Sequence, residues 1–147
     1  MHIESTVNKQ VITQKYINDL TYEVIGAAIH VHKTMGKGLL ESVYHCCLKE
    51  ELKHHNINYE TELIIPVKYR DKTLDVNFRC DLFIEKCLVL ELKSVKEMPS
   101  IFEAQLLTYM KLLQAPKGIL VNFFCDNIFK EGQKTIVNEY FELLPKS

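Results

Sequence analysis

Residues 88–95 are almost continuously apolar, with Leu88, Val89, Leu90, Leu92 and Val95 broken only by Glu91, Lys93 and Ser94. A short run of this kind fits a strand covered on both faces, and such a strand sits in the middle of a sheet. Side chains alternate along a strand, so Glu91 and Lys93 share one face while Leu90 and Leu92 occupy the other. Two charges set into a central strand are costly unless something pairs with them or binds to them.

The flanking chain has the periods of an α/β domain. Leu20, Val24, Ile25, Ala28, Ile29 and His32 recur at helical steps, with Asn18 or Asp19 as the expected N-cap and Gly36-Lys37-Gly38 as the stop. Residues 1–18 show no clear period and read as a flexible or loosely docked arm, ahead of a single domain over 19–147. A second helix is expected over 39–55, with Leu40, Val43, Tyr44, Cys47, Leu48 and Leu52 as its apolar stripe. Strands are expected over 59–69 and 74–84, the latter with Val76, Phe78, Cys80, Leu82 and Ile84 on one face. After the central strand, Ser100 is placed to cap an apolar helix over 101–114. Ala115-Pro116-Lys117-Gly118 ends that helix, 119–124 is a buried strand, and a turn at 130–133 leads to a last strand or short helix over 135–141. The order predicts a mixed central sheet that begins as an antiparallel meander.

A hairpin pivoting on Lys86, with Glu85-Lys86-Cys87 as its loop, places Asp81 directly opposite Glu91. Carboxylates that close repel by roughly 3–4 kcal/mol at an effective dielectric of 20. A divalent cation would relieve the repulsion, and hard oxygen donors favour Mg²⁺ or Mn²⁺ over zinc. Lys93, one pleat further on, would then steady a water or the charge on a phosphoryl oxygen. A two-residue loop would instead send the carboxylates to opposite faces, and glycine-free three-residue loops are unusual. The plain alternative is a solvated E-x-K edge with a surface ion pair, which the apolar run around it argues against.

Two more polar residues stand where the period favours apolar ones. Gln105 is about 200° around its helix from Glu103 and is expected on the covered side with Ile101 and Thr108. Glu41 lines up with Tyr44, Leu48 and Leu52, although a glutamate in a first turn also complements the helix dipole. His30 and His32 are too far apart around one helix to share a metal, His32 reads as a core histidine or one supporting a site from behind, and Cys80 and Cys87 read as packing residues. No GxGxxG or P-loop pattern supports nucleotide-cofactor chemistry.

Residues 38–44, Gly38-Leu39-Leu40-Glu41-Ser42-Val43-Tyr44, fit G-x-x-E-x-x-Y. With Ile25-Gly26-Ala27-Ala28, Val31-His32, Asp81, Glu91-Leu92-Lys93, Glu103-Ala104-Gln105 and Val121-Asn122-Phe123, the chain resembles the GxxExxY proteins of the PD-(D/E)XK nuclease superfamily. The resemblance implies an α-β-β-β-α-β core with an additional N-terminal helix and the site on the sheet. It implies metal ligation by Asp81, Glu91 and the Leu92 carbonyl, with Glu41 assisting, and catalytic roles for Lys93, Gln105 and Glu41. The residue before Asp81 is Cys80 rather than the proline of the superfamily's name, a replacement found in many relatives. The implied activity is Mg²⁺- or Mn²⁺-dependent phosphodiester hydrolysis on nucleic acid, DNA before RNA. The alternative is a non-catalytic interaction module that keeps the fold and the metal site.

Composition narrows the rest. Eighteen Lys and Arg balance nineteen Asp and Glu for a net charge of −1, so a coat of non-specific nucleic-acid contacts is not expected and any phosphate recognition is local. Five cysteines without CxxC spacing suggest a reducing, cytoplasmic setting. Residues 1–15 carry Glu4 and Lys9 and do not read as a signal peptide, no run is long enough to span a membrane, and the reading leaves room for a homo-oligomer.

Overall fold

Thr13, rather than Asn18 or Asp19, starts the first helix. Its backbone is extended (φ −124°, ψ 165°), and its hydroxyl accepts the Tyr16 N–H at 2.9 Å. Helix α1 therefore spans Gln14–Met35, and its buried stripe begins a turn earlier than expected, at Ile17. The computed structural model describes residues 11–147. The expected arm over 1–18 is thus helical from Gln14 on, and its first ten residues lie outside the described ones. Gly36, with φ +80°, ends α1 by donating its N–H to the His32 carbonyl at 2.8 Å.

Helix α2 spans Glu41–His54 and buries Tyr44, Leu48 and Leu52. Leu40, expected on that stripe, is its N-cap residue and is 74% exposed. Strands β1 (Tyr59–Tyr69), β2 (Lys72–Ile84) and β3 (Leu88–Lys93) form the antiparallel meander. Helix α3 (Ile101–Leu113) then crosses to β4 (Lys117–Asn122), which pairs parallel to β3. A π-helical turn, Ile128–Gly132, leads to β5 (Gln133–Val137), antiparallel to β4, and to the short α4 (Glu139–Glu142). The final segment is therefore a strand followed by a short helix. The sheet order is β1-β2-β3-β4-β5, with β3 and β4 wholly buried apart from the half-buried Lys93.

The two faces of the sheet are covered differently. On one, α1 and α2 pack over Leu82, Ile84, Leu88, Leu90, Leu92, Ile119 and Val121. On the other, Leu106, Tyr109 and Met110 of α3 pack over Ile65, Cys80, Phe83, Val89 and Leu120. Ser100 precedes α3 as expected, but its side chain makes no capping bond. Strand β4 starts two residues before the expected point because Lys117 and Gly118 already pair with Leu88 and Val89. Gly118 also lets α3 approach: a Cβ there would stand 2.7 Å from Met110 Sδ and 2.9 Å from Leu106 Cδ1. Gly118→Ala should therefore cost about 1–3 kcal/mol through overpacking. Thermal melts check this, and an unchanged midpoint would show that α3 yields without cost.

One sequence expectation fails in an informative way. Val76, Phe78, Cys80, Leu82 and Ile84 do not share a face. Val76 is exposed, Phe78 and Cys80 join the α3 side, and Leu82 and Ile84 join the α1–α2 side. Strand β1 changes face at the same level, since Tyr59 packs on the α1–α2 side and Leu63 and Ile65 on the other. The β1–β2 register is nevertheless kept across the change, with Thr61 opposite Leu82 and Leu63 opposite Cys80. Between those pairs lie Glu62, with a left-handed φ of +53°, and Asp81. A local kink has turned the outer half of the hairpin over.

Candidate active site between diverging strands

The β2–β3 turn settles where Asp81 lies. Ile84 is opposite Leu88 and Leu82 is opposite Leu90, the register expected from a pivot on Lys86. Glu85 and Lys86 take left-handed φ values of +48° and +56°, and the Cys87 N–H donates to the Ile84 carbonyl at 3.0 Å. Without glycine this geometry is strained, and Asn58 supports it. The Glu85 N–H donates to the Asn58 carbonyl at 3.0 Å, and the Asn58 N–H donates to the Glu85 carboxylate at 2.9 Å. Cys87 is the extra residue that keeps the register, and it is buried as a packing thiol.

The β2–β3 ladder ends at Leu82–Leu90. Beyond it, two carboxylates replace strand carbonyls as acceptors. Glu91 Oε2 accepts the Asp81 N–H at 2.8 Å, and Asp81 Oδ2 accepts the Leu92 N–H at 2.9 Å. The pair is thus brought together, but not side by side on one face as the alternation argument had it. Asp81 opens toward α2, in a cleft of ≈ 300 Å³ that it lines with Leu92, Glu62, Glu41, Ser42 and His45. Glu91 is 6% exposed, on the strand face that carries Val89 toward α3. Burial, followed by the Asp81 carboxylate, pushes the Glu91 carboxyl up to about 8. Burial also raises Asp81, against the opposing pull of the Leu92 N–H, His45 and Lys93.

Lys93 follows on the Glu91 face. Its ammonium sits over the Phe102 ring, 4.2 Å from the centroid, and among the described residues it forms no ion pair. It is close enough to both carboxylates to lower them without touching either.

Glu41 is held at the lip of the cleft by the residues around it. The Tyr44 hydroxyl donates to the Gly36 carbonyl and accepts the Leu39 N–H at 3.2 Å, and its ring stacks on Phe123 with centroids 4.2 Å apart. Gly38 takes φ +93° in the loop that Tyr44 ties down. The glycine and tyrosine of the motif are therefore structural, and they present the glutamate between them. Tyr44→Phe should cost about 1–3 kcal/mol, because the Leu39 N–H and Gly36 carbonyl lose their shared partner. A melting midpoint equal to wild type would show that water replaces the hydroxyl.

Gln105 does not occupy the covered side of α3. The buried face is Leu106, Tyr109 and Met110, while Gln105, Ile101 and Thr108 are exposed. The helix is apolar nearly all round, so its sequence period did not single out the face that packs. His45, one turn after Glu41, was missed by sequence reasoning. Its Nδ1 is 3.7 Å from Glu62, its Nε2 is 3.0 Å from the Thr61 hydroxyl, and its i+4 spacing from Glu41 was the available signal. His32 is a structural histidine, as expected, with Nε2 2.8 Å from the Cys125 carbonyl.

Among the described residues no three His, Cys, Asp or Glu side chains converge tightly enough to hold one ion, although Glu41 lines the same cleft as Asp81 and its charge adds to burial in raising both carboxyls. The pair itself fits a hard cation. It offers only carboxylate oxygens, one group is buried with a raised carboxyl, and among the described residues neither forms a salt bridge.

Residues 18–136 match the PD-(D/E)XK nuclease superfamily. A solved structure titled "Crystal structure of SSO0001" is similar at 32% sequence identity and a TM-score of 0.51, over 66% of this chain and 49% of that one. This chain therefore spans about half the length of that structure. No curated protein matches the chain.

Proposed function

Given that this chain belongs to the PD-(D/E)XK nuclease superfamily, we propose that it hydrolyses phosphodiester bonds of nucleic acid, DNA before RNA, with Mg²⁺ or Mn²⁺. Nucleases of this superfamily generally use divalent metals. The observation that carries the reading is the pair of Asp81 and Glu91, which bridge the gap between strands, Glu91 accepting the Asp81 N–H and Asp81 accepting the Leu92 N–H. The narrower placement among GxxExxY proteins rests on the motif at Gly38, Glu41 and Tyr44.

Asp81, Glu91 and the Leu92 carbonyl would hold the cation, with Glu41 acting through its water shell. The cation supplies a bound water of lowered pKa and neutralises charge on the phosphoryl oxygens. Lys93 would orient the attacking water and stabilise developing negative charge from the Glu91 side. His45, held by Thr61 beside Glu62, would keep the α2 side of the cleft in place. Gln105, exposed on α3, would meet the substrate rather than brace Lys93 from within.

The described chain packs on both faces of one sheet, which supports a single domain, with a start at Gln14 rather than residue 19 because Ile17 already lies in the core. All five cysteines are free, which favours a reducing, cytoplasmic setting. No described helix is long and apolar enough to cross a membrane.

Hydrolysis of labelled single-stranded DNA, duplex DNA and RNA in Mg²⁺, Mn²⁺ and EDTA tests the reading. Cleavage in either cation, lost in EDTA and faster on DNA, is expected. Cation-induced stabilisation with no cleavage of any substrate would favour the non-catalytic module instead.

A further inference from the structure

Glu41 and Ser42 form a ridge with a cleft on either side. One is the ≈ 300 Å³ cleft that holds Asp81. The other, of ≈ 590 Å³, is lined beyond the ridge by Leu40, Ser94, Lys96 and Phe124. It is open to solvent, and its volume is in the range of clefts that seat a small-molecule-sized unit.

The walls of this second cleft are held in place by buried polar bonds. The Asn122 side chain, itself buried, accepts the Val95 N–H at 3.1 Å and the Phe124 N–H at 3.1 Å, and donates to the Val95 carbonyl at 2.9 Å. The Ser94 hydroxyl donates to the Leu39 carbonyl at 2.6 Å, which joins the end of β3 to the loop before α2. The chemistry of the walls is mixed in a particular way. Leu40 is an exposed aliphatic residue, and Phe124 is a half-buried aromatic. Lys96 is exposed and forms no ion pair among the described residues. Lys37, 5.5 Å from the Phe124 ring centroid, is by contrast already tied to Asp126 at 2.8 Å.

We infer that this second cleft seats one unpaired nucleotide next to the scissile phosphate, its base against Phe124 and Leu40 and its phosphate at Lys96. The inference rests on the phosphodiesterase reading above and narrows its substrate to a strand with at least one unstacked base. An aromatic and an aliphatic wall suit the flat face of a base. In a duplex that face is covered by its neighbours, so a single strand or an overhang can offer it and a blunt duplex cannot. With a net charge of −1 on the chain, one uncompensated lysine beside the site supplies local rather than general phosphate attraction.

Binding in a cleavage-deficient Lys93→Ala background separates recognition from cutting. The probes are a short labelled DNA strand, its blunt duplex, and the same strand with one abasic position, each titrated in Mg²⁺. The intact strand should bind about tenfold more tightly than the blunt duplex and the abasic strand. Phe124→Leu should weaken the intact strand by about tenfold while leaving the blunt duplex and the abasic strand unchanged. Lys96→Ala should weaken the strand and lower its salt slope by about one. Leu40→Ser, at an exposed position, should act in the same direction as Phe124→Leu and decides the matter if that variant fails to fold. Single-strand affinity unchanged in all three variants overturns the cleft assignment and leaves the nuclease reading standing. Equal or tighter binding of the blunt duplex also overturns it. Failure of every probe to bind, with no cleavage by the wild type, removes both.

Discussion

Replacing Lys93 by alanine should lower metal-dependent phosphodiester hydrolysis by about 10²–10³-fold, the usual effect of removing one preorganised donor to developing charge. The fold should survive. Lys93 is half-buried at the end of β3, its ammonium contacts only the Phe102 ring among the described aromatic partners, and no carboxylate depends on it for a direct ion pair. Cation-induced stabilisation should therefore be largely retained while cleavage is lost. Lys93→Arg should not restore full activity, since a guanidinium can stack on the Phe102 ring but spreads its charge over a planar fork instead of presenting a compact ammonium to the water and phosphoryl oxygens. Single-turnover cleavage rates together with melting midpoints in Mg²⁺ check both halves. A Lys93→Ala protein cutting at more than roughly a tenth of the wild-type rate would remove Lys93 from the reaction.

The second large effect concerns Glu91 and pH. Its carboxyl stands near 8 in the folded protein against an ordinary 4.5, with burial as the leading cause and Asp81 next. A folded value above the unfolded one means that the native state binds the proton more tightly. Stability is then highest below about 4.5, falls as pH rises toward 8, and levels off above that. The size is on the order of a few kcal/mol, and the raised Asp81 adds to the same direction. A divalent cation at pH 8 should offset this loss by favouring the ionised pair, contributing about 2.7 kcal/mol at a hundredfold excess over Kd. Glu91→Gln should flatten the slope, raise metal-free stability at pH 8 and abolish the cation shift. Glutamine is the appropriate replacement because its amide oxygen still accepts the Asp81 N–H, which alanine would leave without a partner. Calorimetric melts from pH 5 to 8, with and without Mn²⁺, decide it. A Glu91→Gln protein that keeps the full cation shift would place the metal elsewhere.

The helices and strands were legible in the sequence because local forces set them, and the register of the central hairpin followed from the pivot of its loop. The unbroken apolar run at Leu88–Leu90 marked the middle of the sheet, and the helix stop at Gly36 and the loop at Gly38 followed from left-handed backbone that glycine adopts without strain. The register survived a glycine-free turn because Asn58, distant in sequence, bonds both the Glu85 backbone and its carboxylate. The sequence also placed Asp81 across from Glu91 and put Lys93 on the Glu91 face. It could not show that Asp81 lies where β1 and β2 turn over together. Alternation assumes one environment along a strand, and here the inner half packs under α1 and α2 while the outer half packs under α3. The same limit applies to Gln105. Its helix is apolar nearly all round, so only the packing of Leu106, Tyr109 and Met110 on the sheet, including the close approach at Gly118, selects the packed face. His45 had a sequence signal in its i+4 spacing from Glu41, but its bonds to Thr61 and Glu62, like the second cleft, are made by segments that meet only in space. The residue types at the site are a property of the chain. Their arrangement, with each carboxylate taking an N–H beside the other, arises because strands that part leave backbone donors that must find acceptors.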